Sequence, residues 1–279
     1  MERADRAPLA TFYAPGDWGA RVELPESAAH HAGVKRLAVG DAVRLSSGDG
    51  RRAGGTIAEL AKRRLSVAVD IESLERMPAR PHIELWAPVG DRERMLMLAE
   101  KAVELGASAW RPVVYHRSRS VSPRGEGEAF REKVRLRMTS ALEQSGSAWL
   151  PAMHDELSLE LALRAWDEVA GEAHGAARGG ARGGAHGAAH GAAHDAAHDA
   201  AHGAAHGVLL DLSGVPLLAL RNSLTAPIAI ALGPEGGLEP AERELFLAAR
   251  WRTASLGANV LRFETAGIAA LALVRSFTP

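Results

Sequence analysis

Three glycines fall within five residues at Gly233-Pro234-Glu235-Gly236-Gly237, directly after the apolar run Ile228-Ala229-Ile230-Ala231-Leu232. Glycine admits positive φ and lets a ligand come up against the main chain, so in such a turn backbone amides and carbonyls are the binding groups. A second turn, Ser255-Leu256-Gly257-Ala258-Asn259-Val260-Leu261-Arg262, follows in the same part of the chain. Two other clusters hold reactive or charged groups. Between Arg111 and Arg137, eight lysines and arginines (111, 117, 119, 124, 131, 133, 135, 137) stand against three acids (126, 128, 132), the kind of local excess that phosphate contacts need. Histidines recur with a period of four at 186, 190, 194, 198, 202 and 206. Imidazoles at i, i+4 on a helix can share a metal ion. Glycine at nearly every fourth position, however, costs a helix about 1 kcal/mol each, and the regularity is that of tandem-repeat expansion, so no metal site is predicted.

The elements that would position these groups can be read from hydrophobic period. Ile228 to Leu232 is apolar on both faces and belongs in the middle of a covered sheet, with Val208 to Leu212 as a parallel neighbour. A helix starts at Pro240, with Glu242 and Glu244 where the dipole favours acids. A closing apolar helix runs from Glu264 to Val274. Upstream, Ile83 to Val89 reads as a strand and Arg92 to Leu105 as a helix whose buried stripe is Met95, Leu98, Ala99, Ala102 and Leu105, capped by Gly106; its methionines read as core. Before the prolines at 78 and 81, short alternating runs at 21–24, 42–45, 54–60 and 64–71 suggest a small β-barrel. Residues 171–207, almost pure Ala, Gly and His, offer nothing to bury and read as a disordered or weakly ordered insertion.

Composition sets the outer limits. The chain has 279 residues, net charge −1 and no cysteine, which excludes disulfides, thiolate metal ligands and cysteine nucleophiles. No apolar run is long enough to span a bilayer and the N-terminus carries no signal-peptide pattern, so a soluble, cytoplasmic protein without a membrane partner is expected.

The two glycine blocks, GPEGG and SLGANVLRFETAGIAAL, in this order after an apolar strand, resemble the C-terminal signature of the RsmE family. His30 to Asp41, the Glu-Leu-Gly ending at 104–106, Arg117-Ser118 and Glu143-Gln144-Ser145 are similar to further motifs of that family. The resemblance implies an α/β fold: a C-terminal SPOUT trefoil-knot methyltransferase domain over residues 80–279, interrupted by the insertion, and an N-terminal PUA-like β-barrel over residues 1–76. It implies S-adenosylmethionine-dependent methylation of N3 of a uridine in 16S ribosomal RNA, with the small ribosomal subunit as partner and a homodimer as the working form. Ribose 2′-O-methylation and a non-catalytic RNA-binding role in ribosome assembly stand as alternatives.

Carried over residue by residue, the cofactor is expected at Leu210, Leu232, Gly233, Pro234, Glu235, Gly236, Gly237, Leu256, Gly257, Val260, Leu261 and Arg262. RNA is expected at His30, Arg36, Arg117 and Arg119. The uracil imide loses its proton two to three units above neutral, a cost on the order of 3 to 4 kcal/mol. Arg262 is the expected stabiliser of the developing charge, with Glu264 beside it in the catalytic set; Glu264 and Thr265 would also serve as helix caps. Thr11, Val89 and Ser147 stand where the family usually has basic residues, so RNA affinity or substrate choice is expected to differ sooner than cofactor binding.

Overall fold

The computed structural model describes residues 8–120, 125–180 and 206–278. The chain divides into two units at 79/80, 135/136 and 151/152, so residues 136–151 belong with the N-terminal unit. That unit is one sheet of β1 (Thr11–Tyr13), β2 (Arg21–Leu24), β3 (Ala42–Ser46), β4 (Arg51–Ala61), β5 (Arg64–Val69) and β6 (Glu75–Arg76), ordered β1-β3-β4-β5-β2 with β6 on β4. Strand alternation turns Phe12, Val43, Leu45, Ile57, Leu65 and Val67 into a common core. Helix α1 (Glu26–Val34) closes it with Ala28, Ala29 and Ala32. A stripe made only of alanine carries almost no hydrophobic period, which is why the sequence did not show this helix.

The second unit is built on a parallel sheet ordered β10-β8-β7-β12-β11-β13, with β9 on β8. Its strands are β7 (Ile83–Pro88), β8 (Ala109–Val114), β9 (Ala152–Met153), β10 (Leu157–Ser158), β11 (His206–Pro216), β12 (Ile228–Ala231) and β13 (Arg252–Ser255). All six residues of β7 and all four of β12 are buried, as strands covered on both faces must be. The helices of this unit are α2 (Arg92–Glu104), α4 (Leu159–Gly180), α5 (Pro240–Ala248) and α6 (Phe263–Phe277), while α3 (Glu128–Ser145) runs across the 135/136 division. One core cluster gathers Trp86, Trp166, Phe246 and Trp251, with the Trp86 and Trp251 rings 4.5 Å apart.

Helix α2 follows its expected stripe: Met95, Leu98, Ala99 and Ala102 are buried, Asp91 caps it through the amide of Arg94, and Gly106 takes φ 74 just beyond its end. Leu105 is only partly buried and Met97 is 49% exposed, so one methionine expected in the core faces water. The insertion expected at 171–207 is corrected at both ends. Helix α4 starts on the buried Leu159, Leu163 and Trp166 and continues to Gly180, because elongating a nucleated helix is easy even through poor formers. His206, the last histidine of the repeat, opens β11 opposite Ile228 and meets Thr225 Oγ1 through Nε2 at 3.1 Å. Residues 181–205, which hold the other repeat histidines, lie outside the described residues.

The basic tract also differs from its reading as a phosphate surface. Arg111 is buried and bonds Glu84 Oε1 through Nε at 2.5 Å, and Trp86 Nε1 donates to the same oxygen at 2.8 Å. Burial pushes the Glu84 carboxyl up, but His82 and Arg111 outweigh it and hold the group at about 2. Arg131 pairs with Asp155. Among the described residues no helix is long and apolar enough to cross a membrane, and no group of His, Asp or Glu is arranged to hold a metal ion.

Candidate active site

A cavity of about 440 Å³ opens where β11, β12 and β13 end. The carboxyl ends of parallel strands are where open α/β sheets bind ligands, since the loops there are free to vary while the sheet stays rigid. The register of β11 against β13 shifts between Leu210 and Val215, a bulge that brings Leu210, Asp211 and Leu212 to the cavity wall. The exit of β12 supplies Leu232, Gly233, Pro234, Glu235 and Gly237, and the segment after β13 supplies Leu256, Asn259, Val260, Leu261 and Arg262. Phe263 and Ala266 of α6, Arg94 of α2 and Arg243 of α5 also face it.

Ten of the twelve residues expected to hold the cofactor therefore line one cavity: Leu210, Leu232, Gly233, Pro234, Glu235, Gly237, Leu256, Val260, Leu261 and Arg262. Gly236 and Gly257 do not. A Cβ at Gly236 would stand 3.0 Å from Arg117 Cβ and 3.1 Å from its Cδ, so this glycine makes room for the arginine. Gly257 has φ 128 and nothing within 4 Å of a built Cβ, so backbone conformation alone requires glycine there.

The glycine turn is fixed from two sides. Arg117 Nε donates to Glu239 Oε1 at 2.7 Å and its Nη1 donates to the Gly236 carbonyl at 2.5 Å. One residue earlier, the His116 amide donates to Glu242 Oε1 at 2.8 Å, and Glu242 Oε2 accepts the Glu239 amide at 2.8 Å across the start of α5. Glu242 is buried, so its two bonds to main-chain amides bind the segment after β8 to the helix that follows the turn. On the other side the Asp91 amide donates to Glu235 Oε1 at 3.3 Å. A Cβ at Gly90 would come within 2.8 Å of Glu235 Oε2, so only glycine leaves that carboxylate its place.

Five charged side chains, Arg94, Asp211, Glu235, Arg243 and Arg262, set the cavity's polarity. Asp211 accepts from the Ser213 amide at 2.9 Å and hydroxyl at 2.7 Å, and pairs with Arg243. Burial pushes its carboxyl up, yet those bonds outweigh burial and keep it below the usual carboxylate range. Arg94 Nη1 lies 3.6 Å from Glu235 Oε1, and its Nε lies 4.0 Å from Glu264 Oε1. Arg262, the N-cap of α6, is exposed at the cavity. Glu264 is not part of the wall: it is 6% exposed, makes no cap hydrogen bond, and its Oε2 is buried without a partner among the described residues. Thr265 is exposed.

Of the residues expected to meet RNA, His30 and Arg36 belong to the N-terminal unit and Arg117 and Arg119 to the second. His30 and Arg36 are exposed, Arg36 at φ 56 just past α1. The neighbouring His31, not His30, carries the specific contact, with Nδ1 2.9 Å from Glu143 Oε2 while Glu143 Oε1 accepts the Tyr13 amide at 3.0 Å. Arg117 is engaged with the glycine turn, and the Arg119 side chain lies outside the described residues. Sequence reasoning missed Arg94 and Arg243, while Asn259 lies within the second turn it singled out. The signal for Arg94 would have been its place in the first turn of the helix leaving β7, on the same sheet edge as the two glycine turns.

A family model described as an RNA methyltransferase domain matches residues 78–181 and 195–275, and one described as an RNA methyltransferase PUA domain matches residues 24–70. The structure is similar to that of ribosomal RNA small subunit methyltransferase E from Neisseria gonorrhoeae bound to S-adenosylmethionine, with a TM-score of 0.73 and 23% identity over 96% of this chain and 97% of that one. It is also similar to a protein from Porphyromonas gingivalis described as a probable rRNA-methyltransferase, with a TM-score of 0.68 and 24% identity over 96% of this chain and 98% of that one. At such identities the likeness is one of fold, the α/β SPOUT arrangement with a PUA-like barrel. The first family match passes over residues 182–194, inside the histidine repeat, and still covers most of the chain. By that match, and by the cavity its signature turns enclose, the chain belongs to the RNA methyltransferase family.

Proposed function

We propose that the protein transfers the methyl group of S-adenosylmethionine to N3 of a uridine in 16S ribosomal RNA. The reading is carried by the cavity at the ends of β11, β12 and β13, where both glycine-containing turns of the signature meet. The residues present fit the cofactor. Leu232, Leu256, Leu261 and Phe263 offer apolar walls for an adenine, the 233–237 turn offers main-chain groups, and Asp211, held ionised, accepts a donor from a ribose or an ammonium. When bound, S-adenosylmethionine supplies an electrophilic methyl group.

What remains for the chain is to bind, orient and favour the imide anion. Arg262 is exposed at the cavity, where its guanidinium stabilises charge developing on a uracil oxygen and offsets part of the ionisation cost. Arg94 stands between Glu235 and Glu264, so Glu264 acts on the cavity by orienting Arg94. His30, Arg36 and Arg119 remain the candidates for RNA contact. A homodimer is supported by the exposed apolar side chains Leu212 (50%), Val215 (50%), Leu218 (53%) and Val260 (83%), with Leu212 and Val260 at the cavity mouth, which a second copy would cover. With 16S ribosomal RNA as its substrate, the reading puts the protein in the cytoplasm, where small ribosomal subunits are assembled.

Mass spectrometry of ribosomal RNA nucleosides from a strain lacking the protein, with and without its restoration, tests the reaction. Loss and recovery of 3-methyluridine is the expected result. A 2′-O-methylated nucleoside that follows the protein, or no change in any nucleoside, refutes it. Light scattering of the purified protein at micromolar concentration reads the dimer, and a monomer there refutes that part.

A further inference from the structure

The barrel unit holds a second cavity, of about 370 Å³, on the outer face of β3 and β4. Strand alternation dictates what turns toward it. Val43, Leu45 and Ala53 point into the core, so Arg44 and its cross-strand partner Gly54 share the opposite face, with Arg44 also in register with Thr11 of β1. A Cβ built on Gly146 would lie 3.9 Å from Arg44 Nη1 and 3.8 Å from Thr11 Oγ1, which locates the guanidinium at the edge of the loop after α3.

Arg44 differs from the other partly buried arginines of its unit. Arg51 is paired with Asp17 and Asp49, and Arg52 bonds the Gly146 carbonyl. Arg44, likewise partly buried, has no acid and no hydrogen-bond partner among the described residues. Holding a guanidinium half out of water without a counter-charge is unfavourable, and an anion from outside relieves it. The rim also carries Asp70 and Glu75. Carboxylates repel a bare phosphate but accept N–H and O–H donors, so the pairing of one free cation with two acids fits a nucleotide better than an inorganic anion. The floor is closed, because Gly54 donates its amide to Ser73 Oγ at 2.8 Å and accepts the Asp70 amide at 2.9 Å. A side chain at Gly54 would approach Ser73 Oγ to 3.2 Å and fill the space.

We propose that this pocket takes one nucleotide of the RNA substrate, other than the methylated one, with its phosphate on Arg44 and its base or ribose donors on Asp70 or Glu75. The proposal rests on the reading of the protein as an RNA methyltransferase. Fluorescence anisotropy with a labelled ribosomal RNA fragment carrying the methylation site tests it. Arg44→Gln raises the Kd about five- to tenfold at low salt and lowers the slope of log K against log salt by about 0.7, the share of one phosphate on a single strand. Arg44→Lys keeps the wild-type slope, since the charge remains. The melting temperature holds in both variants because Arg44 has no partner to lose among the described residues. An unchanged Kd and slope in Arg44→Gln overturns the subsite, as does an Arg44→Lys protein that loses as much slope as the glutamine variant. Saturable, Arg44-dependent binding of free AMP with no change toward RNA overturns it in favour of a small-molecule site. If the wild-type protein itself does not bind the RNA, the wider reading fails and the subsite falls with it.

Discussion

Replacing Arg117 by alanine removes, among its contacts, the two that hold the glycine turn, Nε to Glu239 at 2.7 Å and Nη1 to the Gly236 carbonyl at 2.5 Å. The Arg117 and Glu239 side chains are 44% and 32% exposed, so solvent screening leaves the ion pair about 0.5 kcal/mol. The charged donor on the main-chain carbonyl adds about 1 to 1.5 kcal/mol. Together these give about 1.5 to 2 kcal/mol of loop order, or roughly ten- to thirtyfold in an equilibrium constant. The loss falls on the turn whose other residues line the cavity, so the cofactor Kd rises by that factor while global stability changes less, the opening being local. Calorimetry with S-adenosylmethionine reads the first effect, and anisotropy with a ribosomal RNA fragment shows an unchanged salt slope. The reverse pattern, an unchanged cofactor Kd with a salt slope flattened by about 0.7, would make Arg117 a phosphate contact and refute the bridging role. Glu239→Gln in the Arg117→Ala background should cost little more, because the two residues share one bond.

Glu84 should make stability depend on acid. Its folded carboxyl sits at about 2 against 4.5 in the unfolded chain, so about 3 kcal/mol of stability is present above pH 4.5 and is lost as the pH falls toward 2. Denaturant titrations between pH 7 and pH 2.5 should show that decline in the wild-type protein and a flatter one in Glu84→Gln, which also strands the buried Arg111 guanidinium; equal slopes would refute the pairing. His154, which burial holds below 6.5, resists protonation in the folded state and adds an earlier, gentler loss as the pH drops below 6.5. Deleting residues 182–194, the stretch the family match passes over, should leave the melting temperature and methyl transfer unchanged, and a large fall in either would show that the repeat supports the fold.

The parts of the fold that sequence made legible are those with a strong period. β7, β12 and α2 are long enough and apolar enough for spacing alone to place them, and Gly106 takes the positive φ its position beyond α2 implies. Helix α1 escaped because alanine buries too little area to stand out, and α4 runs past its expected end because a helix nucleated on Leu159, Leu163 and Trp166 is extended at small cost per residue. The glycine turns were legible as binding elements, since close approach to backbone leaves a compositional mark. Which way each glycine faces was not: Gly237 lines the cavity and Gly236 accommodates Arg117, a distinction set by an arginine from another strand's exit.

The same limit applies to the charged residues, and it bears on how the site works. Arg262 and Glu264 are two positions apart and read as one cluster in the sequence. Successive residues turn by about 100° around a helix, so two residues at that spacing cannot present side chains to the same point. Arg262, as the N-cap, remains outside at the cavity, and Glu264 turns inward toward α2 with one oxygen 4.0 Å from Arg94 and the other without a partner among the described residues. A buried carboxylate so weakly satisfied is unfavourable by itself, and Arg94 is the cation whose field it feels. Arg94 in turn stands 3.6 Å from Glu235 on the cavity wall, so it links the inward acid to the glycine turn. What the family resemblance implies as a catalytic pair is, in three dimensions, a surface arginine beside a buried acid that reaches the cavity through a second arginine from a different helix.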